Sequence, residues 1–157
     1  MRTDHEREKK QFAEEFGILF EQMSLPRMAG RIWGWLLTAE PPHQSAAEIA
    51  AAVSASRGSV STMTRLLIQS GLIEAVGVPG ERRRYYRIRS GGFPEILRAK
   101  VQVTSRIREM AERGLELLRG APKAVRAPLE EYRDCCLFFE REFPAFVARW
   151  ERRRRSR

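Results

Sequence analysis

Residues 45–89 carry a succession of signals that few folds accept: two helical segments separated by a three-residue turn, then two short alternating runs folded about a Pro-Gly pair. Ser45-Ala46-Ala47-Glu48 has the S-x-x-E form, in which a serine side chain and a glutamate three residues later each satisfy the other's free backbone N–H. It opens a short helix expected to end near Val53. Ser54-Ala55-Ser56 makes the turn, and Ser56 is placed to cap a second helix from Arg57 to about Ser70. Gly71 follows as the left-handed residue that closes such a helix. Ile73–Val78 and Arg84–Arg89 read as strands, the second through Tyr85, Tyr86 and Ile88, with Pro79-Gly80 turning the chain between them. An isolated hairpin is not stable in water, so it must lean on the helices. The order predicts a helix-turn-helix with a hairpin, or wing, beside it.

The flanking sequence is helical. In residues 4–24, Phe12, Phe16, Leu19, Phe20 and Met23 recur at three- and four-residue steps. Pro26 suits the first turn of a helix over 26–39, with Met28, Ile32, Trp35, Leu36 and Ala39 on its inner side. After Gly91-Gly92, a long helix is expected from Pro94 to about Arg119, with Ile96, Val103, Ile107, Met110, Gly114 and Leu117 at heptad-like positions. Gly120 and Pro122 interrupt the chain. A last helix is expected from Pro128 to Arg155, with a seam of Tyr132, Cys136, Phe139, Phe143, Phe146 and Trp150. Pro144 should kink or divide it. The fold class is therefore mainly α with a small β-hairpin wing, a winged helix-turn-helix carrying long terminal helices. The expected organisation is an N-terminal dimerisation helix (1–24), a winged helix-turn-helix DNA-binding domain (25–92), and C-terminal dimerisation helices with a basic tail (93–157). The terminal stripes hold more aromatic surface than a small core can bury, which points to a second copy of the chain as partner.

Winding residues 57–70 at 3.6 residues per turn separates two faces. Val60, Met63 and Leu67 fall on one; Gly58, Ser61, Thr62, Arg65 and Gln69 fall on the other. An ordinary surface helix would carry glutamate and lysine there, yet residues 57–73 hold no acid. Small hydrogen-bonding groups and a guanidinium suit the floor of a DNA major groove, where arginine reads guanine in bidentate fashion. The N-terminal end of such a helix enters the groove, favouring Arg57, Gly58, Ser61, Thr62 and Arg65. Ser56 and Ser59, with the free N–H groups of the first turn, are candidates for holding phosphate. In the hairpin, Arg82, Arg83 and Arg84 lie in and just after the turn, placed for flanking phosphates or the minor groove. A formal net charge of +9 agrees with a polyanionic partner.

Other chemistries lack their residues. His5 and His43 are isolated, and no zinc-ligand spacing, phosphate loop or nucleophile elbow occurs. No catalytic site, cofactor or metal is expected. Cys135 and Cys136 are adjacent, so they form no disulfide framework; they read as semi-buried helix residues, with a redox role left open. No apolar run approaches the roughly 20 residues of a bilayer span, and residues 1–10 lack a signal peptide's apolar core; the cytoplasm is the expected location.

The stretches Leu25–Leu37, Ser45–Ala50, Ser56–Ser61 and Pro79–Arg83 resemble the GbsR branch of the MarR-type winged helix-turn-helix regulators. The likeness covers about residues 10–90, and the last two helices by architecture. It departs at the wing, where Glu81-Arg82-Arg83 stands for the usual Asp-x-Arg and Ile88-Arg89-Ser90 for the usual Leu-Thr. The resemblance implies a homodimer with intertwined terminal helices on a pseudo-palindromic operator in double-stranded DNA, its reading helices about 34 Å apart. It implies repression relieved by a small molecule, for which Phe16, Phe20, Trp33, Met110 and Phe139 are candidate wall residues, although each also fits an ordinary core. Two other readings compete: a nonspecific nucleic-acid or chromosome-packing protein led by the arginines from Arg149 to Arg157, and a protein-interaction module built on the winged helix.

Overall fold

The computed structural model describes residues 2–156; the expected inward placing of Ile96 lies outside the described side chains. The chain forms two compact units, Met1–Phe93 and Pro94–Arg157.

The first unit opens with α1 (Arg2–Gln22) and α2 (Arg27–Thr38). These helices pack closely because glycine removes side chains from their contact. A Cβ on Gly30 would stand 2.4 Å from the Phe16 carbonyl oxygen, and one on Gly34 2.9 Å from Ala13 Cα. Glu14 ties the pair from outside, accepting from Arg27 Nε at 3.0 Å and forming an ion pair with Arg31 Nε at 2.7 Å. A two-residue strand, β1 (Gln44–Ser45), then leads into α3 (Ala46–Ala52), α4 (Arg57–Gln69), β2 (Ile73–Gly77) and β3 (Arg84–Ile88). Both expected caps form. Ser45 and Glu48 make the reciprocal capping box of α3, and the Ser56 hydroxyl accepts from Ser59 N at 3.1 Å to cap α4. Gly71 closes α4 at φ +72°. The core is shared by Ile32 and Trp35 of α2, Ile49 of α3, Val60 and Leu67 of α4, and Ile73 of β2.

The sheet has three antiparallel strands in the order β1-β3-β2, where the sequence predicted two. β1 pairs Gln44 with Tyr86 and Ser45 with Tyr85. Two polar residues between a Pro-Pro turn and a capping box carry no alternation, so local sequence held no sign of this strand. Its effect is to stitch the wing to the entrance of the helix-turn-helix.

The second unit holds α5 (Gly92–Leu117) and α6 (Lys123–Arg155). Two expectations about α6 need correction. It begins at Lys123, after Pro122, and not at Pro128. Nor does Pro144 divide it, because the proline removes one hydrogen bond from a long ladder whose flanking turns are anchored by buried Cys136 and Val147. The α5–α6 contact is reinforced by Arg108, which reaches both Glu140 oxygens at 3.2 Å and Glu112 at 2.8 Å, and by an Arg98–Glu151 pair. Among the described residues, no helix is long and apolar enough to cross a membrane.

Candidate nucleic-acid interface

The rotation of α4 follows its apolar period. Val60 and Leu67 are 0% and 1% exposed, and Met63 is half-buried, so this side is held by the core. Arg57, Gly58, Ser61, Thr62, Arg65 and Gln69 are exposed, as is Ser56; Ser59 is half-buried. Sequence reasoning missed Thr64, which is only 1% exposed on the inner face. Its hydroxyl donates to the carbonyls of Val60 at 2.8 Å and Ser61 at 3.2 Å, so it enters the core with its polarity satisfied inside its own helix.

The first turn is more constrained than the sequence implied. The Ser56 hydroxyl is engaged in capping Ser59 N, which leaves the N–H groups of Arg57 and Gly58 at the open end of α4. Thr62 donates its hydroxyl proton to the Gly58 carbonyl at 3.1 Å, so toward any ligand it offers oxygen lone pairs. Among the described residues, neither Arg57 nor Arg65 makes an ion pair.

The wing sorts its arginines by strand alternation. Tyr86 and Ile88 pack on the core, and Arg84 shares their face of β3. Tyr85 and Arg87 take the opposite face. Tyr85 meets the His43 ring edge-on at 5.5 Å, and Arg87 donates to its cross-strand partner Glu74 at 2.7 Å. Arg87 is thereby neutralised. Arg82, Arg83 and Arg84 are exposed and make no ion pair among the described residues. The turn before them is formed by Glu81 N donating to the Val78 carbonyl at 3.0 Å, with Gly80 at φ +84°. Pro79 then Gly80 supply the fixed and the positive φ that a type II turn demands.

Arg57, Arg83 and Arg84 meet in one groove of about 470 Å³, with Ser45, Ala46, Ala47 and Tyr86 completing its walls. This convergence was not legible in the sequence, because it depends on β1 pinning β3 beside α3. Glu48, the nearby acid, turns its carboxylate onto Ser45 N at 2.7 Å and Ser45 Oγ at 2.6 Å. Those two hydrogen bonds, with smaller help from the charges of Arg83 and His43, hold its carboxyl below the ordinary range.

The aromatic candidates divide between the units. Phe16 and Phe20 flank Trp33 in the first, at ring separations of 5.1 and 5.6 Å. Met110 and Phe139 belong to the second, where Met110 is 70% exposed and Phe139 stacks on Phe143 at 4.6 Å. The neighbouring cysteines also part. Cys135 is exposed and Cys136 buried, with burial foremost in raising the Cys136 thiol's pKa.

A capped helix with an acid-free outer face, followed by an arginine-bearing hairpin, defines a winged helix-turn-helix protein. Known proteins agree. The family of MmpR5-like MarR family transcriptional regulators matches residues 91–153. The HTH-type transcriptional regulator MmpR5 of Mycobacterium tuberculosis is 38% identical over 143 residues, covering 91% of this chain and 87% of that protein. A crystal structure of a transcriptional regulator shares 37% identity at a TM-score of 0.78, covering 92% of this chain and 99% of the other. The chain belongs to the MarR family of winged-helix transcriptional regulators, in its MmpR5-like group; these are DNA-binding proteins without enzymatic activity.

Proposed function

We propose that the protein is a homodimeric repressor that reads a pseudo-palindromic operator with the outer face of α4, braces the duplex with its wing, and lets go when a small molecule binds. The observation that carries the reading is the outer face of α4. Arg57, Gly58, Ser61, Thr62, Arg65 and Gln69 are all exposed without an acid among them, and the unpaired arginines of the wing stand beside them. Arg65 is the base reader, because a guanidinium on the exposed helix face matches guanine O6 and N7. Arg82, Arg83 and Arg84 serve the backbone and the minor groove. The homodimer is supported by the uncovered apolar side chains of α1, α5 and α6, and the effector by the Phe16–Phe20–Trp33 cluster, with Met110 and Phe139 as second-unit candidates. Within the family, the GbsR branch rests on residues 25–37, 45–50, 56–61 and 79–83 alone. The cytoplasm, where a bacterial chromosome lies, is the compartment this reading requires.

The competing readings fare less well. A partner-binding face normally bears apolar anchors, and the outer face of α4 has none. A packing protein would depend on the arginines beyond Arg149. Binding-site selection from random duplexes tests the reading directly: a single palindromic motif is expected, and its absence ends the proposal. On the selected site, Arg65→Ala is expected to lose about 1–3 kcal/mol of discrimination against altered bases. Arg83→Ala should weaken all duplexes alike.

A further inference from the structure

The three arginines of the groove differ from every other cationic cluster in the first unit. Arg27 and Arg31 share Glu14, and Arg87 is paired with Glu74. Arg57, Arg83 and Arg84 come from two separate elements, face one cavity, and make no ion pair among the described residues, Glu48 feeling Arg83 only as a minor charge. Like charges brought together repel, so an arrangement of this kind is complete only when an anion joins it. The walls allow one to approach. Ala46 and Ala47 present only methyl groups, and the Ser45 hydroxyl is engaged with Glu48. Glu48, the acid beside the groove, has its carboxylate held on the Ser45 backbone and hydroxyl by the capping box. The cluster is also rigidly aimed. Ser56 caps the helix bearing Arg57, and the pairing of Ser45 with Tyr85 and Gln44 with Tyr86 fixes the start of β3, where Arg84 sits.

We propose that Arg57, Arg83 and Arg84 form a single seat for one backbone phosphate of the duplex, joining the reading helix to the base of the wing. This rests on the reading of the protein as an operator-binding regulator and sharpens it. These arginines do not spread over neighbouring phosphates; they converge on one, and that contact sets the register in which Arg65 meets its base pair. Arg82, outside the groove, is left for the minor groove.

The test combines a backbone scan with salt dependence, using the full-length protein and its selected operator. Phosphates are replaced one at a time by neutral methylphosphonates, and binding is compared for wild type, Arg57→Ala, Arg83→Ala, Arg84→Ala and the triple variant. One phosphate per half-site is expected whose neutralisation weakens wild type, weakens each single arginine variant less, and leaves the triple variant unaffected. The slope of log K against log salt should fall in the triple variant by about 0.9 per half-site, the value for one phosphate, where three separate contacts would give about 2.7. Circular dichroism confirms that the exposed substitutions leave the fold intact. Three different phosphates mapped by the three variants, a slope change near the larger value, or no change at all would overturn the seat while leaving the operator reading standing. A wild-type protein without operator preference would overturn both.

Discussion

The two units of this chain satisfy their apolar surface in opposite ways. In the first, α2, α3, α4 and β2 enclose Ile32, Ile49, Val60, Leu67 and Ile73 almost completely. In the second, the described buried apolar side chains are small, namely Pro94, Ala111, Cys136 and Val147, while Val103, Ile107, Met110, Tyr132, Phe138, Phe146 and Trp150 stay exposed and Leu117 is 87% exposed. Two helices can cover one face of each other and no more, so a pair held by Arg108, Arg98 and a narrow contact leaves its remaining apolar faces for something else. The α1 helix shares this trait through Phe12, Ile18 and Leu19, with Met23 just past its end. A regulator gains from the division. The first unit holds its arginines on a self-sufficient core, while the second leaves apolar faces that the proposed homodimer would cover.

The sharpest way to break this comparison is to charge the open stripe of α5. Ile107→Glu combined with Met110→Glu is expected to yield monomers by sedimentation equilibrium. Operator affinity should fall by about 10²–10⁴-fold, because the second half-site no longer binds as a tethered event. A charged variant that remained a dimer with unchanged affinity would mean that the stripe is merely wetted surface. Leu67→Ala probes the other side. Emptying that closed site should cost about 2–5 kcal/mol in chemical denaturation. The cost should be the same at low and high protein concentration, since the side chain is enclosed within its own unit. The wild-type Tm, by contrast, should rise with concentration, and the Ile107/Met110 variant should lose that dependence.

The same division decided what could be read from the residues. The rotation of α4 was legible because the closed core imposes a strict period on it: Val60, Met63 and Leu67 mark the inside, and the acid-free remainder marks the outside. Both serine caps and Gly71 were legible because each meets a local backbone requirement. The third strand was not, since Gln44 and Ser45 pair through their backbones and owe their place to β3, about forty residues on. Thr64 was missed because its hydroxyl is satisfied by carbonyls of its own turn, which makes a polar residue behave as an apolar one. In the second unit the period marked the stripe but left its cover undecided. The seam from Tyr132 to Trp150 is a single row in sequence, but Cys136 is buried, Phe139 and Phe143 are half-buried, and Tyr132, Phe146 and Trp150 are exposed. Regular spacing names a stripe without saying what covers it. Similarly, Pro128 and Pro144 carry strong local signals, yet α6 runs through both because it is long.

The smallest expected effect concerns how firmly α1 belongs to the closed unit. Glu14 accepts from Arg27 and pairs with Arg31 across the α1–α2 contact; the Arg27 hydrogen bond foremost, with the charges of both arginines, lowers its pKa from the usual 4.5 against the opposing effect of burial. Below 4.5 the folded protein therefore holds on to fewer protons here than the unfolded chain does. The staple stabilises fully above the unfolded value and fades as pH falls through the lowered folded one. With about a third of the side chain in water, its worth is that of a surface ion pair, about 0.2–1 kcal/mol. Glu14→Gln should lower Tm slightly near neutral pH. The gap from wild type should close in acid, as wild type itself loses the charge, and should shrink in high salt. A loss as large as that of Leu67→Ala would shift the account: the first unit would then depend on its α1–α2 ion pair as much as on its core, and the contrast with the second unit's Arg108 network would be one of degree.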